Sequence, residues 1–148
     1  MIRALVNGLW ETFEDARLQP GTDSFDFETG LYETLRTKDN QPILLDSHLD
    51  RLLDTAESKN LKPSFHRNQI QSMISEVIKN LSEKDQRIRI LLVPEKIIIY
   101  STPLELDHRI YDGVSVITVQ GKRNEPHIKT TNRHLCLNAF QTAQQQNC

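Results

Sequence analysis

The spacing of hydrophobic residues changes several times along this chain, and each change predicts a different kind of element. From Gly30 to Thr37 the side chains alternate between two sets, as in a strand with two different faces. Ile2 to Val6 and Leu9 to Phe13 flank Asn7-Gly8, a dipeptide typical of tight hairpin turns. Further strands are predicted at Ile43 to Leu45, Arg87 to Val93, Lys96 to Thr102 and Gly113 to Gln120.

Three other segments repeat their apolar residues at helical spacing. The first starts near Asp46 or Ser47, either of which could cap it, and the second carries a stripe between Ile70 and Leu81. The third predicted helix has this apolar set: Leu135, Ala139, Phe140 and Ala143. With Thr130 or Thr131 as its cap, the third helix is expected to begin within a residue or two of Lys129.

These elements predict an α/β fold of the α+β kind. Residues 1–105 are expected to form an N-terminal two-layer domain of antiparallel strands with two helices. Residues 106–112 have no period and several charges, so they are interpreted as an interdomain connection to a second unit at 113–148. The valines of the predicted strand Gly113 to Gln120 suggest cover on both faces, and Glu14 to Ser24 is expected to be an irregular connection.

Composition excludes several classes of function. The 148 residues include 18 Lys and Arg against 20 Asp and Glu, a net charge of -2 that gives no electrostatic case for nucleic acid or an anionic membrane. No run approaches the ~20 apolar residues of a membrane span, and MIRALVNGLW does not read as a signal peptide, so the cytoplasm is the expected location. Cys136, Cys148 and the scattered histidines indicate neither a disulfide framework nor a metal site.

Lys129 is the candidate reactive group. The start of a helix carries a partial positive charge, which disfavours an ammonium and favours bound anions. An amine kept neutral there could act as a nucleophile. The alternative interpretation is a loop lysine on a wet surface.

Three stretches together resemble the class IV, or fold type IV, pyridoxal-phosphate enzymes: FETGLYETLRT, HLDRLLDTAESKNL and GVSVITVQGKRNEPHIKTTNRHLCLNAFQTAQQQNC. That family includes branched-chain aminotransferases, D-amino acid aminotransferases and aminodeoxychorismate lyases. The resemblance covers essentially the whole chain. It implies pyridoxal 5'-phosphate as cofactor, a homodimer, and residues 113–148 as the first strand and helix of a cofactor-binding domain.

The resemblance also implies roles for individual residues. Lys129 matches the lysine that forms a Schiff base with the cofactor and then moves a proton. Arg51 matches the arginine that contacts the cofactor phosphate; the alternative is a surface arginine paired with Asp50 or Asp54. Tyr32 and Arg36 lie on the strand that borders the substrate pocket, where an aromatic wall and a cation suit an amino acid; the alternative is an edge strand with solvated charges.

The implied function is pyridoxal-phosphate-dependent amino-group transfer on an amino acid or 2-oxo acid. Elimination of the aminodeoxychorismate lyase type is an alternative. Thr34 in GLYETLR, where branched-chain enzymes tend to have glycine, favours the D-amino acid aminotransferase and aminodeoxychorismate lyase side of the family. Relatives continue beyond the last helix with an acid for the cofactor ring nitrogen and a phosphate-binding turn. The chain is therefore expected to be a fragment, a polypeptide completed by another, or a cofactor-free dimerising or regulatory remnant.

Overall fold

The computed structural model describes residues 1–13, 30–61, 64–123, 125–131 and 134–146. It contains six strands: β1 Ile2–Val6, β2 Leu9–Phe13, β3 Leu31–Lys38, β4 Gln41–Pro42, β5 Gln86–Val93 and β6 Lys96–Pro103. Its α-helices are α1 Leu45–Ser58, α2 Arg67–Lys79 and α3 His134–Gln145, with a 3-10 helix at His108–Asp112. The predicted α+β class is confirmed. The predicted connection Glu14 to Ser24 lies outside the described residues.

All six strands join one antiparallel sheet in the order β2-β1-β6-β5-β3-β4. The predicted first hairpin is confirmed, because Asn7 and Gly8 both adopt positive φ angles, 51° and 84°, and so close the two-residue turn. The predicted β5–β6 pair is also confirmed, with Val93 opposite Lys96 at its turn.

Helices α1 and α2 cover one face of this sheet. Their predicted apolar stripes are buried, including Leu49 on α1 and Ile74 on α2, and they pack against inward-facing residues of the strands such as Ile90. The opposite face carries a smaller buried cluster: Ala4, Val6, Leu91, Ile98 and Tyr100. The predicted two-layer arrangement of a sheet and two helices is therefore present.

The start of α1 differs from the prediction. The return strand β4 is Gln41–Pro42, and beyond it the amide of Ile43 donates to the carbonyl of Arg36 at 2.9 Å before the helix begins. The predicted bounds of the return strand, Ile43 to Leu45, are therefore wrong. Leu44 then takes a left-handed conformation with φ 54°, and the helix follows at once without a side-chain cap. Asp46 lies in the first turn of α1 and does not cap it. Its negative charge there interacts favourably with the helix dipole, and its Oδ1 accepts a hydrogen bond of 2.9 Å from Arg67 Nη2.

The C-terminal segment also departs from the sequence interpretation. Residues 113–120 belong to no helix or strand, so the predicted strand Gly113 to Gln120 is wrong. Val114 and Val116 are 67% and 78% exposed, whereas cover on both faces was expected. A strand needs a partner for its backbone groups, and no strand in the described ranges pairs with this segment. The apolar pattern of residues 113–120 does not show whether a partner strand is present.

Helix α3 is present as predicted, and it spans His134–Gln145. Residues 130 and 131 are not helical, and residues 132 and 133 lie outside the described part of the chain, so a cap at Thr130 or Thr131 and a helix start next to Lys129 stay predictions. The hydroxyl of Thr131 donates to the carbonyl of Gly30 at 3.2 Å. None of the described α3 side chains is buried, and Phe140 is 60% exposed.

Candidate active site

Lys129 lies in a short segment that pairs with the beginning of β3. The amide of Tyr32 donates to the carbonyl of Lys129 at 3.0 Å, and the amide of Thr131 donates to the carbonyl of Gly30 at 2.8 Å. Ile128, one residue earlier, is 7% exposed and joins the core between sheet and helices. The backbone of the lysine is therefore fixed by the N-terminal sheet, although the sequence assigns Lys129 to the second unit.

Close approach of this segment requires a residue without a side chain at position 30. A Cβ added to Gly30 would lie 2.9 Å from Val93 Cγ1 and 3.0 Å from both Thr131 Cγ2 and Thr131 Oγ1. Such distances leave no room for even a methyl group unless the neighbours move. Gly30 thus allows Thr131 and Lys129 to dock against β3.

We expect Gly30→Ala to push residues 129–131 away from β3 and to cost about 1–3 kcal/mol, the usual penalty of overpacking. Hydrogen exchange of the Thr131 amide should then become faster, because its acceptor is the Gly30 carbonyl. Asn68→Ala, at an exposed position of α2 far from this segment in the fold, is the control and should leave the exchange of the Thr131 amide unchanged. Unchanged exchange at Thr131 in Gly30→Ala would contradict the packing argument.

The side chains of Lys129, Arg51 and His48 converge on one carboxylate, that of Glu33. Arg51 donates through Nε to Oε1 and through Nη2 to Oε2, each at 2.6 Å, and His48 Nδ1 donates to Oε2 at 2.8 Å. Lys129 Nζ lies 3.7 Å from Oε2. Glu33 comes from β3, whereas His48 and Arg51 come from successive turns of α1, which packs on that strand.

Glu33 is ionised in this arrangement although it is only 1% exposed. Burial by itself raises the pKa of the Glu33 carboxyl, but the hydrogen bonds from Arg51 and His48 and the nearby charge of Lys129 outweigh burial and hold that pKa below its usual value. Sequence reasoning assigned no role to Glu33. The available signal was a glutamate at an inward-facing position of an alternating strand, where an unpaired charge is not tolerated.

Tyr32 lies beside Lys129. The amine of Lys129 is 5.2 Å from the centroid of the Tyr32 ring, within the range of a cation–π contact. A small open pocket is lined by these two side chains, Arg51 and their neighbours: Leu31, Glu33, Leu52 and Thr55. The structure therefore brings together three of the four predicted site residues: Lys129, Arg51 and Tyr32.

Arg36 is on the same strand face as Tyr32, but it is four residues away, about 13 Å along the strand. It is exposed, and its partner in register is Arg87. Arg89, opposite Thr34, is on the same face, and its Nη1 is buried without a hydrogen-bond partner in the described part of the chain. Sequence reasoning did not combine Arg87 and Arg89 with Arg36, because only the strand register shows that they are neighbours.

Arg51 pairs with Glu33 and with neither Asp50 nor Asp54; Asp50 instead accepts a bond from Arg67 at 2.5 Å. Among the described residues, no group of three or more His, Cys, Asp or Glu could hold a metal ion. Within the same residues, no helix has the length and apolar character needed to cross a membrane.

Comparison with known sequences gives two matches. The family described as Amino-transferase class IV matches residues 30–148. The aminodeoxychorismate lyase of Bacillus subtilis (strain 168) is 30% identical over 87 residues, which cover 59% of this chain and 30% of that relative.

Solved structures share the fold. A Thermotoga maritima protein with a provisional branched-chain amino acid aminotransferase assignment has a TM-score of 0.74 at 21% identity, covering 96% of this chain and 54% of that one. A T.th. branched-chain amino acid aminotransferase, solved with pyridoxamine 5'-phosphate, has a TM-score of 0.58 at 16% identity. The match covers 72% of this chain and 41% of that aminotransferase. The chain thus spans less than two thirds of the length of each relative.

Proposed function

Because this chain belongs to the class IV aminotransferases, we propose that it takes part in pyridoxal-phosphate-dependent amino-group transfer on an amino acid, with Lys129 as the residue that holds the cofactor covalently. One observation carries the proposal: an amine, a guanidinium and an aromatic ring line the same pocket at Lys129, Arg51 and Tyr32. The cofactor has an aldehyde, which would react with the amine of Lys129, and a phosphate, which would be bound by the guanidinium of Arg51. The ring of Tyr32 would supply a flat apolar wall.

The chemistry of the pocket fits a phosphorylated cofactor. Glu33 occupies the Nε and Nη2 side of Arg51, and no described residue accepts a hydrogen bond from Nη1. A guanidinium has five N–H donors in a rigid plane, so its outer edge can still contact phosphate oxygens. The aminotransferase solved with pyridoxamine 5'-phosphate has the same fold, which supports the same cofactor class for this chain. When bound, the cofactor supplies an electron sink for the substrate carbanion.

Lys129 would contribute two properties of a primary amine. As a neutral amine it is a nucleophile toward the cofactor aldehyde, and once released it can accept and return the proton of the substrate Cα. Its backbone is held by β3, while 35% of its side chain remains exposed. This combination fixes the base of the side chain and leaves its tip able to reach the pocket.

We propose further that Tyr32 and Arg36 contact the substrate, with Arg36 attracting a carboxylate. Arg36 and Arg87 are direct cross-strand partners, and like charges in that arrangement repel each other. An anion between them would relieve the repulsion. Arg89 extends the positive charge back toward Tyr32, so a substrate carboxylate has a cationic surface on the same face as the ring.

Lys129 is tested by trapping the cofactor on it, using the longest form of the protein that its gene encodes. The protein is incubated with pyridoxal 5'-phosphate and reduced with borohydride, and its peptides are examined by mass spectrometry. We expect the added mass on the peptide containing Lys129, its absence in Lys129→Gln, and no change in Lys79→Gln, which removes an exposed lysine of α2. An unmodified Lys129 in the wild-type protein would contradict the proposal.

Elimination of the aminodeoxychorismate lyase type is the second candidate, favoured by the 30% identity to the B. subtilis lyase. Release of pyruvate from aminodeoxychorismate, compared with transfer of an amino group to a 2-oxo acid, separates the two reactions. A cofactor-free dimerising remnant would show neither reaction and no adduct on Lys129. Cytoplasmic location, predicted from the apolar pattern of the sequence, and a homodimer, implied by the resemblance, remain predictions.

A further inference from the structure

We propose that Lys59 and Glu125 are positioning residues, whose ion pair fastens the segment that carries Lys129, residues 125–131, to the end of α1. The pair would hold Lys129 at the pocket that α1 also lines. The meaning of this placement for a reaction rests on the proposed function, in which Lys129 holds the cofactor. The ion pair itself is a contact within the protein and needs no cofactor.

The contacts with β3 hold only the second half of the Lys129 segment. The Tyr32 amide donates to the carbonyl of Lys129 at 3.0 Å. The amide and the hydroxyl of Thr131 donate to the carbonyl of Gly30 at 2.8 Å and 3.2 Å. All of these bonds involve residues 129–131, so the direction from which the chain approaches Lys129 must be fixed by the contacts of residues 125–128.

The ion pair between Lys59 and Glu125 supplies such a contact. Lys59 Nζ donates to Oε1 of Glu125 at 2.5 Å and to Oε2 at 2.6 Å, and the two residues are 66 positions apart in the chain. Lys59 is the C-cap residue of α1, where a cation also interacts favourably with the helix dipole. The side chains of Lys59 and Glu125 are 35% and 44% exposed, so water screens the pair only in part.

A short turn connects Glu125 to Lys129. The amide of Ile128 donates to the carbonyl of Glu125 at 3.1 Å, which closes the turn. The carbonyl of Ile128 accepts a hydrogen bond from Arg123 Nη2 at 3.2 Å, and the Ile128 side chain is buried in the core between sheet and helices. Lys129 is the next residue, so a movement of Glu125 would displace the backbone of Lys129 through this turn.

Helix α1 also forms a wall of the pocket. Arg51 and Thr55 line the pocket together with Lys129. The amide of Lys59 donates to the carbonyl of Thr55 at 3.0 Å, one helical turn further along α1. The ion pair therefore joins the two sides of the pocket, α1 and the Lys129 segment. Lys59 and Glu125 are assigned no contact with substrate or cofactor and act through the placement of Lys129.

Hydrogen exchange followed by NMR tests this anchor in the protein without cofactor. The amides of Tyr32 and Ile128 are the reporters, because their acceptors are the carbonyls of Lys129 and Glu125. In Lys59→Met, we expect both amides to exchange about threefold faster than in the wild-type protein, the size of effect typical of a partly exposed ion pair. Lys59→Arg should keep the wild-type rates, because a guanidinium also donates to both oxygens of a carboxylate.

Lys38→Met is the matched control, because Lys38 forms a comparable pair with Asp85 at 3.0 Å, with side chains that are 67% and 42% exposed. It should leave the exchange of both reporter amides unchanged. The double variant Lys59→Met/Glu125→Gln should exchange no faster than Lys59→Met alone, since the two residues act through one contact. Unchanged exchange in Lys59→Met, or the same acceleration in Lys38→Met, would overturn the inference.

The position of the Lys129 side chain gives a second readout, which a change of overall stability would not produce. Its amine is 5.2 Å from the centroid of the Tyr32 ring, so the ring current shifts the NMR signals of the adjacent methylene group. This shift should decrease in Lys59→Met and be retained in Lys59→Arg; an identical signal in wild type and Lys59→Met would contradict the assigned role. Failure of the cofactor-trapping experiment together with the expected exchange and NMR results would reject the proposed function and keep this inference.

Discussion

Replacing Arg51 with methionine is expected to destabilise the fold by about 3 kcal/mol. Methionine keeps an unbranched apolar stem but lacks the guanidinium and so removes both 2.6 Å bonds to Glu33, which leaves a carboxylate that is 1% exposed without its main partner. The Arg51 side chain itself is 47% exposed, but the Glu33 carboxylate is buried, and removing the partner of a buried charge costs far more than the pair contributes as a whole. Urea unfolding followed by circular dichroism measures the change in the free energy of unfolding.

Arg109→Met is the matched control, because Arg109 also forms a bidentate pair, with Asp107, yet 89% of its side chain is exposed. Exposed pairs contribute about 0–1 kcal/mol. Equal losses of stability in the two variants would show that the Glu33 environment has no special importance.

The difference between wild type and Arg51→Met should also depend on pH. Because the folded pKa of Glu33 is lowered, its stabilising contribution is present above the ordinary value of 4.5 and is lost as the pH falls through the folded pKa. The gap between the two proteins should therefore be largest near neutral pH and should narrow below pH 4.5, once Glu33 is protonated in both.

Leu49→Ala is expected to cost about 2–5 kcal/mol, since it opens a cavity where the side chain is 0% exposed between α1 and the sheet. Leu49 follows His48 on the helix that also carries Arg51. A shift of α1 would therefore also weaken the hydrogen bonds from His48 and Arg51 to Glu33. Leu9→Ala, at a strand position that is 72% exposed, should change stability by less than about 0.5 kcal/mol. Thermal or urea unfolding of both variants provides the comparison, and similar losses would contradict the assigned core.

Local pattern was sufficient to predict the elements with strong periodicity. The alternation around β3 and the apolar stripes of α1 and α2 each reflect one buried face, which a single sequence records directly. The pattern failed where partners decide the outcome. Residues 113–120 have the composition of a strand, but no described strand pairs with them.

The candidate site was only partly predicted, because it too depends on contacts between segments that are distant in the sequence. Lys129 was a candidate from its place before the third predicted helix, and the resemblance added Arg51 and Tyr32. The convergence of these three residues on one pocket depends on contacts between distant segments. Glu33 was missed because its role appears only when α1 and the Lys129 segment both reach β3. Whether Arg36 contacts a substrate stays a prediction, now joined to Arg87 by the strand register.

The contact between Thr131 and Gly30 joins residues 101 positions apart in the chain. Closing so long a loop has an entropic cost that only the completed sheet and core can offset, so this contact is expected to form late in folding. It is also expected to be among the first to open, because α3 beyond it buries no described side chain. A brief detachment of this segment would carry Lys129 away from the pocket while β1 to β6 stay intact, so the protein could lose the amine proposed to be reactive without unfolding.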